Sequence, residues 1–221
     1  MKIPVIRNIL SANDQVAQEN RATFRAARTF VLNLMSSPGA GKTSLILATA
    51  ARLPAGVRPG VIEGDLASNI DAEKVAAHGI PVVQINTGGN CHLDAPMVRS
   101  ALAELPLDEI DLLFIENVGN LVCPAEFDLG ADRAIVVAST PEGHDKPYKY
   151  PGMFAAADAV VLNKADVMGV FDFDLDYFRR GVAMVNERAP VFVVSCRTGE
   201  GLDAWVAWLG QQLRAGTLHR S

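Results

Sequence analysis

The sequence predicts a doubly wound α/β domain, a mostly parallel sheet with helices on both faces. Three observations lead there. Apolar, β-rich runs alternate with helical patterns along nearly the whole chain. Several of those runs are continuously apolar rather than alternating, as expected of strands covered on both faces. Each segment with chemical character falls just after one of the runs, at what would be the carboxyl edge, where such sheets bind ligands.

The elements follow in order. Residues 11–28 carry an N-cap candidate at Ser11 and a weak apolar face, which predicts an outer helix packed on the domain edge. Strands are predicted at 30–35, 60–63, 82–85, 112–116, 134–138, 159–162 and 191–195. Helices are predicted at 43–52, 70–78, 95–104, 175–187 and 202–213. We therefore divide the chain into an amino-terminal helical segment, 1–28, and one α/β domain, 29–221. It has no internal repeat and no low-complexity linker.

Bulk properties agree with that frame. A chain of 221 residues with 49% hydrophobic content suits one substantial core. The net charge of −5 offers no broad attraction to nucleic acid or to an anionic membrane. No apolar run approaches the roughly 20 residues that span a bilayer. The opening Met1-Lys2-Ile3-Pro4-Val5-Ile6-Arg7 lacks the long apolar stretch of a signal peptide. Three widely spaced cysteines make no disulfide framework and read as free thiols or metal ligands in a reducing compartment. The expected location is the cytoplasm.

Ser36-Ser37-Pro38-Gly39-Ala40-Gly41-Lys42-Thr43-Ser44 joins the first predicted strand to a helix. It fits the Walker A pattern except that Ser36 stands where the first Gly is expected. Gly39 and Gly41 let successive N–H groups turn inward on phosphate oxygens, and the helix start adds its positive end. Lys42 would reach the β- and γ-phosphates, and the Thr43 hydroxyl would bind Mg²⁺. Asp65 and Glu116, each at a strand end, suit the metal side of the nucleotide. A carboxylate ending so apolar a strand as Leu112–Glu116 needs a partner, because burying it alone is costly.

At the base end, Asn163-Lys164-Ala165-Asp166 follows another apolar run and matches the guanine-recognising Asn-Lys-x-Asp pattern. Guanine offers two donors, N1–H and the 2-amino group, to a bidentate carboxylate such as Asp166. Adenine would leave that carboxylate unpaired, so the site selects strongly. Ser195-Cys196-Arg197 after the last strand is placed for its loop backbone to approach the base. These matches together predict binding and hydrolysis of GTP with Mg²⁺.

What lies between the nucleotide motifs is more distinctive. Thr87-Gly88-Gly89-Asn90-Cys91-His92-Leu93-Asp94 and Glu116-Asn117-Val118-Gly119-Asn120-Leu121-Val122-Cys123-Pro124 each follow a predicted strand. In a parallel sheet both loops lie at one edge, so Cys91, His92 and Cys123 can converge. Thiolate and imidazole suit Zn²⁺ and Ni²⁺. Three ligands leave a four-coordinate site open, to be completed by water or by a second subunit. Spacing alone leaves two readings standing: ligands, or small apolar thiols beside a polar loop histidine.

With Glu63-Gly64-Asp65 and Asp145-Lys146-Pro147-Tyr148-Lys149-Tyr150-Pro151, these stretches resemble HypB, the nickel-incorporation GTPases of hydrogenase maturation, in the SIMIBI class of P-loop proteins. The resemblance runs from Lys2-Ile3-Pro4-Val5 to about Leu213. It implies a homodimer, favoured by GTP, that helps deliver Ni²⁺ to the large subunit of [NiFe]-hydrogenase with a HypA-type zinc and nickel partner. It also implies that Cys91, His92 and Cys123 are the Ni²⁺ or Zn²⁺ ligands. Some such proteins carry an amino-terminal Cys motif or a His-rich tract that stores nickel. This chain has no Cys before Cys91 and no His before His78, which implies one site per subunit or subunit pair.

The segment from Glu116 to Cys123 looks like one that responds to the γ-phosphate and Mg²⁺, so nucleotide state would reposition a metal ligand. No Gln stands where it would orient the attacking water, so slow intrinsic hydrolysis is expected. Lys146 and Lys149 read as solvated lysines, with phosphate contact across a dimer as the alternative. His78, His144 and His219 receive no role. The rival readings are a urease-type nickel GTPase and a GTP-binding metal adaptor with negligible turnover.

Overall fold

The structure is a computed structural model that describes residues 9–66 and 68–218. The stretch Lys2-Ile3-Pro4-Val5 and His219 lie outside the described residues. Seven strands form one sheet: β1 (Phe30–Ser36), β2 (Pro59–Asp65), β3 (Val82–Asn86), β4 (Leu112–Glu116), β5 (Arg133–Ser139), β6 (Ala159–Asn163) and β7 (Val191–Val193). Their order is β3-β2-β4-β1-β5-β6-β7, and every adjacent pair is parallel. The longer helices are α1 (Ile9–Ala27), α2 (Lys42–Ala50), α3 (Ile70–Ala76), α4 (Ala95–Leu102), α7 (Leu175–Val185) and α8 (Leu202–Leu218). Two short helices, α5 (Lys146–Lys149) and α6 (Pro151–Ala155), precede β6.

The strands read as continuous apolar runs because each residue has a covered face to point at. Along β1, Phe30, Leu32 and Leu34 face a core built with Leu45 and Ile46 of α2 and Trp205 and Leu209 of α8. Val31 faces the opposite way, to Phe24 of α1 and Val98 of α4, and Met35 joins Phe154 of α6 and Phe178 of α7. β4 alternates likewise, with Leu112 and Phe114 on one side and Leu113 and Ile115 on the other. Helices thus cover both faces, and all strand carboxyl ends share one edge.

Some local expectations are corrected. α1 is already helical at Ile9, so Ser11 lies inside it and is not its N-cap. α1 is held by its apolar face, through the buried Phe24, and also by buried amides: Asn20 donates to the carbonyls of Ala95 and Leu129, and Asn13 accepts from the Ala95 N–H at 2.9 Å. β7 stops at Val193: the Val194 N–H makes the last ladder bond, to the Leu162 carbonyl of β6, and the Ser195 N–H leaves the sheet for the Glu200 carbonyl. α5 and α6 were not expected; at four and five residues they show no period, and each opens with a proline in its first turn.

Candidate nucleotide and metal site

At the carboxyl end of β1 the chain turns through Gly39 and Gly41, with φ of 76° and 99°, before α2 begins at Lys42. That conformation favours glycine at both positions. Gly41 has a second reason, since a Cβ there would lie 2.5 Å from Asn163 Nδ2. Ser36 does not have positive φ, which is why the departure from Gly costs the turn nothing. Its buried hydroxyl accepts from Lys42 Nζ at 3.0 Å and donates to the Ser37 carbonyl at 2.6 Å. The loop therefore holds its lysine over the cradle. Pro38 and Gly39 are exposed at its lip, Ala40 is buried beneath it, and Ser44 faces solvent from α2.

The acidic side is more crowded than the sequence suggested. Thr43 Oγ1 donates to Glu116 Oε1 at 2.9 Å, so the buried Glu116 has a hydroxyl partner, with its second oxygen unpartnered among the described residues. Glu63 lies beside it, in register on the neighbouring strand β2 and equally buried, also with one unpartnered oxygen. Burial raises the Glu63 carboxyl to about 8, helped by the charge of Glu116. Burial raises Glu116 to about 7 against the pull of Lys42 and the Thr43 hydrogen bond. Carboxylate oxygens of Glu63, Asp65 and Asp71 lie within 4.8 Å of one another. Ser37 Oγ is also buried without a partner among the described residues. Hard oxygen donors with unpartnered atoms next to a phosphate cradle fit Mg²⁺. Sequence reasoning passed over Glu63 as a site residue; its signal was the Glu-x-Asp spacing, which places both side chains on one face of β2.

The base-end residues are assembled with the cradle. Asn163 Nδ2 donates to the Ala40 carbonyl at 3.1 Å, and its Oδ1 accepts from the N–H groups of Lys164 and Cys196. Lys164, with φ of 61°, donates from Nζ to the Gly39 carbonyl at 2.7 Å. A lysine held in that region is strained locally, as residues at functional sites often are. Asp166 accepts from Ser195 Oγ at 2.7 Å, which holds its carboxyl below the usual range, and Arg197 stands 3.4 Å away. Desolvation pushes the half-buried Cys196 thiol to about 11, so it is an inert thiol here.

Cys91, His92 and Cys123 converge, with their ligand atoms all within 4.8 Å of one another. The two sulfurs are 3.0 Å apart, Cys91 Sγ is 3.8 Å from His92 Nδ1, and the His92 ring stacks on Phe127 at 3.9 Å. The hydrogen bond from Cys91 raises the Cys123 thiol above its ordinary value. Two thiolates on one tetrahedral ion would stand roughly 3.8 Å apart from bond lengths of about 2.3 Å. The pair must therefore open by somewhat under 1 Å to grip a metal in that way. Asn120 Oδ1 accepts from the N–H groups of Val122 and Cys123, fixing the turn that presents the second thiol.

Bringing these loops together takes a crossing, because β2 lies between β3 and β4. The Cys91 loop passes over the end of β2 at Gly64. The Leu93 side chain sits where a Gly64 Cβ would be, 2.7 Å from that position, and is fully buried. Lys146 and Lys149 both pair with Asp145 and hold its carboxyl down at about 2, the Lys149 hydrogen bond contributing most.

The family model for the CobW/HypB/UreG nucleotide-binding domain matches residues 30–193. The chain is 52% identical over 206 residues to the hydrogenase maturation factor HypB of Azotobacter vinelandii, covering 93% of this chain and 68% of that one. This chain belongs to the HypB family. The hydrogenase/urease maturation factor HypB of Helicobacter hepaticus is 45% identical over 204 residues, with 90% and 84% covered. The crystal structure of Helicobacter pylori HypB in complex with nickel superposes with a TM-score of 0.89 at 39% identity, covering 93% of this chain and 97% of that one. The cradle, the base loop and the Cys–His–Cys cluster of this HypB-family chain all lie at one edge of a P-loop sheet. Among its described residues, no helix is long and apolar enough to cross a membrane.

Proposed function

We propose that the chain is a Mg²⁺-dependent GTPase that carries nickel for hydrogenase maturation and changes its grip on the metal with nucleotide state. The observation that carries this reading is the meeting of Cys91, His92 and Cys123 within 4.8 Å, on two loops that leave the sheet at the same edge as the phosphate cradle. Glu116, hydrogen-bonded to Thr43, and Cys123 lie seven residues apart on one segment.

In this reading the N–H groups of Ser37 and of residues 39–44, with the Lys42 ammonium, bind the phosphates, and Asn163, Lys164 and Asp166 seat guanine with the loop of Ser195, Cys196 and Arg197. Thr43, Asp65 and Glu116 hold Mg²⁺ directly or through water, with Glu63 behind them. When bound, Mg²⁺ neutralises charge on the phosphate oxygens. Nickel, or zinc in its place, is the cargo rather than a resident cofactor. The recipient is the large subunit of [NiFe]-hydrogenase, reached with a HypA-type partner from a GTP-favoured homodimer in the cytoplasm. In this reading the amino-terminal segment, 1–28, helical over Ile9–Ala27, is an attachment to the GTPase domain, 29–221. The likeness to the hydrogenase/urease factor of Helicobacter hepaticus supports urease as a second recipient.

Two measurements test the proposal together. Phosphate release over many turnovers, slow in the wild type, should vanish in Lys42→Ala. Ni²⁺ affinity should fall in Cys123→Ala and differ between GDP and GTPγS forms of the wild type. Turnover that survives Lys42→Ala, or nickel binding indifferent to Cys123, would sink the corresponding half.

A further inference from the structure

We propose that Asn117 is a positioning residue that yokes the two metal-ligand loops to each other and to the nucleotide side. The inference rests on the nucleotide-linked metal site just proposed and names the residue that does the linking.

Asn117 follows Glu116, the residue bonded to Thr43 of the cradle. It is 1% exposed, so water does not compete for its bonds. Its Oδ1 accepts from two N–H groups, Leu93 at 3.0 Å and its own neighbour Val118 at 2.9 Å. Its Nδ2 donates to Asn33 Oδ1 at 3.2 Å, while the two N–H groups on Oδ1 by themselves set the orientation of the amide. Its backbone N–H donates to the Leu34 carbonyl at 3.0 Å, extending the β4–β1 pairing past Glu116.

One side-chain oxygen therefore ties together both loops that bear ligands. Leu93 stands two residues after Cys91 and one after His92, while Val118 begins the segment that reaches Cys123. Two further contacts stiffen the assembly. Leu93 is wedged over Gly64, between Glu63 and Asp65, and Gly119 lies so close to the cradle that a Cβ there would be 2.8 Å from Pro38 Cα. A shift of Glu116 passes through one peptide unit to Asn117. From there it reaches Leu93 through a buried hydrogen bond and Cys123 through the chain. A buried acceptor holding two donors cannot release one without leaving a polar group unpaired, so the loops move as a unit.

The linkage is read as a ratio of Ni²⁺ dissociation constants in the GDP and GTPγS forms, both with Mg²⁺. Such couplings span roughly 5- to 150-fold. We compare wild type, Asn117→Ala and Asn33→Ala. The ratio should collapse to within about twofold of unity in Asn117→Ala and keep its wild-type value in Asn33→Ala, which spares the bond to Leu93. A folded Asn117→Ala with the wild-type ratio overturns the proposal. So does loss of the ratio in both variants, since general loosening would produce it. A wild-type ratio of one refutes the nucleotide-linked site itself, a different failure from the first two.

Should Asn117→Ala not fold, the amide of Leu93 in the wild-type protein gives the answer by NMR. Its shift and exchange rate should change between GDP and GTPγS without nickel. An unchanged Leu93 amide overturns the proposal.

Discussion

Replacing Gly64 by alanine puts a methyl group where Leu93 already stands. The new Cβ would lie 2.7 Å from Leu93 Cγ and 2.8 Å from each of its Cδ atoms. Carbon atoms prefer about 3.5–4.0 Å, so Leu93 must retreat by roughly 1 Å. Gly64 does not have positive φ, so the backbone accepts alanine and the collision is the whole cost. Leu93 is fully buried beside Ile62, Val98 and Ile115, so retreat has nowhere easy to go. Overpacking of this kind costs about 1–3 kcal/mol. In a chain of this length that lowers the melting temperature by roughly 2–12 °C.

The same retreat displaces His92 and Cys91, and supporting contacts to metal ligands are typically worth about 10- to 100-fold in affinity. Thermal unfolding and Ni²⁺ competition titrations on Gly64→Ala, Leu93→Ala and the double variant would read both effects. The double variant should lose less stability than the two single losses added together, because the collision is gone. A Gly64→Ala protein with wild-type melting temperature and wild-type nickel affinity would refute the crossing as the determinant of the metal loop.

Two further predictions concern other parts of the molecule. Asp166→Asn should weaken GTP binding by at least about 100-fold and shift preference towards xanthosine nucleotides, whose C2 carbonyl accepts where guanine donates. Equilibrium binding of labelled GDP and XDP checks this, and unchanged selectivity would remove Asp166 from the base site. Burial raises the Glu142 carboxyl above its ordinary 4.5, against hydrogen bonds from Ser139. The folded state thus holds a proton that the unfolded chain releases, so this contribution is complete below about 4.5 and is lost as pH rises through the raised folded value. Glu142→Gln should flatten the fall in stability above that pH in urea titrations; an identical pH slope in the variant would refute the assignment.

The P-loop was legible because its chemistry is local. Gly39, Gly41, Lys42 and Thr43 must be adjacent in sequence to form one turn and one helix start. The Asn-Lys-x-Asp run was legible for the same reason, although its tie to the cradle through Ala40 was not. Glu63 escaped notice as a site residue because its neighbour Glu116 is brought alongside by the β2–β4 pairing, across more than fifty residues. The polar part of the seating of α1 was not legible because it depends on Asn13 and Asn20 finding carbonyls and N–H groups far along the chain.

By itself the sequence determined the alternation of strands and helices, the mostly parallel sheet implied by continuous apolar runs, and the chemical types gathered at the edge. Those follow from periodicity and short motifs, which act over a few residues. Tertiary structure decided that β4 inserts between β2 and β1, and that the Cys91 loop therefore has to cross Gly64 to reach Cys123. It also decided that one buried amide, Asn117, holds both loops. Strand order depends on how crossover connections pack around the whole core, and no local stretch of chain encodes which buried donor meets which acceptor across it.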